Sequence, residues 1–138
     1  MLSLEYVAGL LDGEGYVGFA RRITTGGNVG ERLSAQITNV YLPVLQQVRE
    51  QFGGTIIPRD TDGLKVYTWM IHTNPALAFI TQIEPFTVIK KEQIHIVFDY
   101  YKVFRSGKRR NTPYTEEENK LRDHYYNELR RLKRVNYV

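Results

Sequence analysis

Residues 3 to 15 read SLEYVAGLLDGEG. Leu4, Val7, Ala8 and Leu11 recur at helical spacing and Ser3 stands where a cap belongs, which predicts a helix over 3–13. Two features run against an ordinary structural helix. Gly9 and Gly13 lie four apart on one face, where each glycine costs about 1 kcal/mol relative to alanine. Asp12 and Glu14 sit at the C-terminal end, where the macrodipole disfavours an anion by roughly 0.3 to 1 kcal/mol. A glycine groove offsets its cost when a second helix packs against it backbone to backbone. Paired acids at a helix end are tolerated where a cation binds. Together these conditions describe a homodimer in which two copies of the helix cross at Gly9 and Gly13, with Tyr6 and Leu10 beside them. The two Glu14 carboxylates then meet as a site for Mg²⁺.

Working outward, the 138 residues are 42% apolar, enough for one domain over 1–138 and too few for two. YVGFARRIT at 16–24 alternates Val17, Phe19 and Ile23 against Gly18, Ala20, Arg22 and Thr24, which predicts a strand. TGGNVG at 25–30 is turn chemistry, and residues 32–38 alternate again, completing a hairpin. Pro43 suits a helix first turn, and Val44, Leu45, Val48 and Phe52 keep helical spacing up to Gly53-Gly54. A second hairpin joins TIIPRD at 55–60 to LKVYTWMIH at 64–72 through Thr61-Asp62-Gly63. Asn74-Pro75 opens a short helix ending near Glu84-Pro85, residues 88–104 form another, and Thr115 with Glu118 makes a capping box for the last. The order is α-ββ-α-ββ-α followed by helices. That is an α+β fold with one four-stranded antiparallel sheet, apolar against helices on one face and bare on the other.

Charge is uneven. Residues 1–101 carry 8 basic and 10 acidic side chains, and residues 102–138 carry 11 and 5, so the excess that brings the chain to +4 belongs to the C-terminal quarter. With no cysteine, any metal must be held by oxygen or by histidine nitrogen. His72, His95 and His124 have no triad or zinc spacing and read as structural. No apolar run approaches the roughly 18 to 20 residues that span a bilayer, and the N-terminus lacks a basic leader, so a soluble intracellular protein is expected, cytoplasmic in a prokaryote and organellar in a eukaryote.

VAGLLDGEG at 7–15 resembles the signature of the LAGLIDADG homing endonucleases, matching the small, apolar, acidic and closing glycine positions in order. Val7, Gly13 and Glu14 replace the signature's first leucine, second alanine and metal-binding aspartate. The element order, the length and IEPFTVIKKEQ at 83–93 extend the resemblance over about residues 3–105. It implies a single-motif homodimer that hydrolyses phosphodiester bonds on both strands of a long, near-palindromic DNA site with Mg²⁺. Mn²⁺ would substitute, and Ca²⁺ would support binding without cleavage. By the same resemblance Glu14 is the metal ligand, assisted by the Gly13 carbonyl, and Asp12 is the motif's first acid. Lys90 matches the basic residue near the scissile phosphate, and Asn39 matches a polar residue that orients water.

Alternation sends Gly18, Ala20, Arg22, Thr24, Arg32, Ser34, Gln36 and Thr38 to the bare face. A two-stranded ribbon fits the major groove, where arginine reads guanine and glutamine reads adenine. In the second hairpin Arg59, Lys65, Tyr67 and Trp69 are assigned to the same face, Trp69 by its shared parity with Lys65. Lys108, Arg109 and Arg110 in the basic segment 105–113 are expected to touch phosphates, as are basic residues of the last helix. Two other readings stay open: an RNA-binding intron maturase on the same scaffold, and a metal-free DNA-binding regulator.

Overall fold

The computed structural model describes residues 1–23, 29–104 and 114–136. Thr24, most of the first hairpin's turn, and the basic segment with Lys108, Arg109 and Arg110 lie outside the described residues, as does the side chain of Arg22.

Helix α1 spans Leu4–Glu14, and the Ser3 side chain caps it by accepting the Tyr6 N–H at 3.1 Å. Strand β1 (Gly15–Ile23) follows without a loop. A side chain at Gly15 would put its Cβ 2.5 Å from the Leu11 carbonyl oxygen, so only glycine allows the chain to leave the helix this sharply. Strand β2 covers Val29–Asn39 and helix α2 Leu42–Phe52, with Pro43 in its first turn and Gly53 and Gly54 at φ 84° and 93° ending it. Strands β3 (Thr55–Thr61) and β4 (Leu64–His72) are joined at Asp62-Gly63, both left-handed, as a two-residue hairpin turn requires. Helix α3 (Thr73–Ile83) runs into a 3₁₀ turn at Glu84–Phe86, and α4 begins at Lys91, three residues later than the periodicity predicts, ending at Phe104. Helix α5 spans Glu116–Asn136. Its capping box forms as the sequence predicts: Thr115 Oγ1 accepts the Glu118 N–H, and Glu118 Oε1 accepts the Thr115 N–H.

The strands make one antiparallel sheet in the order β1-β2-β4-β3. Val17, Phe19, Leu33, Ala35, Ile37, Trp69 and Ile71 point from one face into a core completed by Val7 and Leu11 of α1, Leu45 and Val48 of α2, Phe79 and Ile80 of α3, and Ile94 and Val97 of α4. No helix among the described residues is long and apolar enough to cross a membrane.

The register corrects the sequence reading of β4. Trp69 is 0% exposed, pairs with Ile37 and Ile56, packs edge-on against Phe79 and donates its indole N–H to the Gly53 carbonyl at 2.8 Å. It is core, with its one polar atom satisfied at the end of α2. Lys65 and Tyr67 share its parity and therefore leave the bare face with it. Lys65 misled because it lies at the hairpin tip, beyond the helices, where a charged side chain is tolerated on either face. The bare face of β4 is instead Leu64, Val66, Thr68, Met70 and His72.

Candidate active site and nucleic-acid interface

The C-terminal end of α1 gathers residues from two other parts of the chain. Asp12 turns both carboxylate oxygens onto the segment before α4, accepting the backbone N–H of Val88 at 2.7 Å and of Lys90 at 3.0 Å. That leaves Asp12 as the cap that pins this segment to α1. Glu14 stays exposed, with one carboxylate oxygen accepting the Asn39 side-chain N–H at 2.9 Å. The Asn39 carbonyl in turn accepts the Tyr41 backbone N–H at 2.8 Å, which fixes the direction of its amide.

Lys90 and Lys91, adjacent in sequence, have opposite fates. Lys91 reaches Glu84, donating to its backbone carbonyl and its carboxylate, where His95 also bonds. Lys90 is 3% exposed beside Asp12. Burial holds its ammonium below the ordinary lysine range, against the opposing pull of Asp12. A solvated surface lysine is excluded. Asp12 with Lys90, and Glu14 with Asn39, are thus brought to the same helix end.

The face of α1 above this point is open. An ideal Cβ at Gly9 or Gly13 would meet nothing within 4 Å. Tyr6 is exposed on the same helix and Leu10 partly so, and Val88 and Ile89 project at 80% and 50% exposure from the segment that Asp12 pins.

On the bare face of the sheet, pairing sets up cross-strand rows. Thr38, Thr68 and Ile57 form one, with the two threonine hydroxyls 3.0 Å apart. Tyr16, Gln36, Met70 and Thr55 form the next, and Gly18, Ser34 and His72 another, ahead of Ala20 and Arg32. Arg59 lies opposite Val66. Gln36 donates to Ser34, and both Ser34 and Thr68 are nearly covered by their neighbours.

No protein-family model matches the sequence, and no curated protein does. Solved structures do. The chain superposes on I-CvuI, crystallised with a DNA target, with a TM-score of 0.61 at 17% identity over 72% of this chain and 65% of that one. The archaeal intron-encoded I-Vdi141I, complexed with DNA, gives 0.60 at 20% identity over 75% and 69%. I-TnaI gives 0.57 at 22% identity over 77% and 76%. The fold is that of the LAGLIDADG homing endonucleases. This chain spans slightly less than two thirds of I-CvuI.

Within that fold, two features escape the sequence reading. His72 reads as structural from the sequence, yet it lies on the bare face. Burial and the Arg32 guanidinium hold its imidazole below the ordinary range, and its Nδ1 and the Nε of Arg32 are buried without hydrogen-bond partners in the chain. Setting Trp69 inward would have put His72 on the bare face by parity. The second is a buried ion pair. Arg122 of α5 donates from Nε and Nη2 to Glu31 Oε2 at 2.9 and 2.6 Å, and the Tyr100 hydroxyl donates to the same oxygen. Burial first, then Glu31, pushes that hydroxyl well above the usual tyrosine range. Arg21 joins from β1, ion-paired with Asp123 and stacked 4.1 Å from the Tyr126 ring centroid. No sequence spacing signals a contact between residues 31 and 122.

Proposed function

We propose that the chain is a site-specific endonuclease that hydrolyses both strands of a long, near-palindromic DNA target as a homodimer with divalent metal. The observation that carries this is the meeting of Asp12, Glu14, Asn39 and Lys90 at the base of an α1 face left open by Gly9 and Gly13. A second copy laid on that face by a two-fold axis brings two such ends together beneath two bare sheets, and its symmetry explains a near-palindromic target.

The donor set fits a hard divalent ion in part. Among the described residues no three acidic or histidine side chains cluster as a cage. One chain offers the Glu14 carboxylate and the Gly13 carbonyl, all oxygen and too few to hold an ion alone. Mg²⁺ is commonly held by one or two carboxylates with substrate phosphates and water, so two chains and DNA complete the set. Held there, a divalent metal would supply Lewis-acid chemistry, stabilising the negative charge that develops in phosphodiester hydrolysis. Mn²⁺ should substitute and Ca²⁺ should support binding alone. Asn39 holds the Glu14 carboxylate in orientation, and Lys90 supplies positive charge, or a proton-accepting amine, to the water or phosphate beside it. We assign base-edge contact to Arg22, Thr24, Arg32, Ser34, Gln36, Thr38 and Arg59, and phosphate contact to Lys108, Arg109 and Arg110. An intron-encoded protein working inside the cell follows by analogy.

The test is cleavage of targets selected from a random duplex library. Glu14→Gln should abolish cleavage in Mg²⁺ while binding in Ca²⁺ persists, and Gly9→Leu should reduce the sedimenting species to a monomer. Full cleavage by the Glu14 variant, or an unchanged dimer in the Gly9 variant, would sink the assignment.

A further inference from the structure

The register that removes Trp69 from the bare face puts something else there. Ile57 lies opposite Thr68 and therefore diagonal to Val66 and Met70, the near neighbours through which side chains on one sheet face interact. Leu64 continues the row at the hairpin tip. Ile57 is 44% and Leu64 57% exposed, and Val66 and Met70 are partly so. Bordering them on the same face are Arg59, Gln36 and Thr38, all able to bond phosphates or base edges. Apolar side chains on a surface otherwise made for polar contact need an apolar partner. In the major groove of unmodified DNA one group supplies it, the C5-methyl of thymine.

We propose that the second hairpin reads thymine methyl groups through Ile57, Val66 and Met70, whereas the first hairpin reads hydrogen-bonding edges. The inference rests on the sheet being the DNA-binding face. It predicts thymine-rich positions in each half-site that are recognised without a hydrogen bond, and tolerance there of 5-methylcytosine, which offers the same methyl, over cytosine.

The experiment begins with duplexes enriched by the wild-type protein, in Ca²⁺, from a random-sequence library. Each enriched thymine is then replaced singly by deoxyuridine, which keeps every hydrogen-bonding atom and loses only the methyl. One or more positions per half-site should lose about three- to fivefold in affinity, the worth of one buried methyl. That loss should vanish in Ile57→Ser or Val66→Ser, both at solvent-facing positions. Enriched sites at which no thymine is sensitive to methyl removal would overturn the inference and leave the DNA-binding reading standing. Failure to enrich any sequence would overturn both. Should Ile57→Ser change the sedimentation of the free protein while methyl sensitivity persists, the patch is a protein contact and the inference fails.

Discussion

The two hairpins of the sheet are built alike and held differently. The first, β1–β2, is braced along its outer edge by α5: Arg122 fills the buried space beside Glu31, Arg21 reaches Asp123 and Tyr126, and Lys133 lies 4.7 Å from the Tyr16 ring centroid. The second, β3–β4, has nearly every residue of β3 exposed. Their bare faces differ in kind as well, with Arg32, Ser34 and Gln36 on the first and Ile57, Val66 and Met70 on the second. On the proposed DNA-binding reading, one sheet would present two recognition chemistries, the polar one on the strands that α5 braces. An arginine that must be aimed at a base edge needs a fixed strand beneath it. A methyl contact is non-directional and tolerates a looser one.

The strongest way to break this comparison is at Trp69. If it belongs to the core, Trp69→Ala should cost on the order of 4 kcal/mol, while Lys65→Ala stays within about 0.5 kcal/mol. Urea denaturation decides it, and near-native stability with lost DNA binding would return Trp69 to the bare face. Next is the brace. Arg122→Leu strands a buried Glu31 carboxylate and should cost about 3 kcal/mol, much of which a second change, Glu31→Gln, should restore. Strictly additive losses would show that the two do not act as a pair.

A smaller effect separates the reading chemistries. Arg32→Ala should alter preference at one base pair by about 1 to 3 kcal/mol and leave sensitivity to removal of thymine methyls elsewhere unchanged. Equal weakening on every sequence would place Arg32 on phosphate instead.

The smallest effect is a pH slope. His72 titrates below its ordinary value because burial and Arg32 disfavour the imidazolium. Between the folded and unfolded values the unfolded chain binds more protons, so stability should fall as pH drops below about 6.5. His72→Gln should flatten that part of the slope. A slope unchanged in the variant would assign it to other groups.

Most of the fold was legible because its signals are local. Ser3, Pro43, the Gly53-Gly54 stop and the Thr115 and Glu118 box each act within one turn of chain, and all occur where the sequence puts them. For the candidate site, the sequence names residues and none of the contacts between them. Glu14 and Asn39 stand 25 positions apart, and only strand β2 returning past the end of α1 makes them partners.

By itself, then, the sequence determined the periodicities, the caps, the glycines that open one side of α1 and the acids at its end, all interactions between near neighbours. Tertiary structure decided which side of β4 meets the helices, since alternation defines two faces without naming the buried one. It also decided that Lys90 is covered while Lys91 is paired, and that Arg122 closes on Glu31. Burial and pairing depend on what arrives from elsewhere in the chain, and periodicity within a strand or helix carries no record of that.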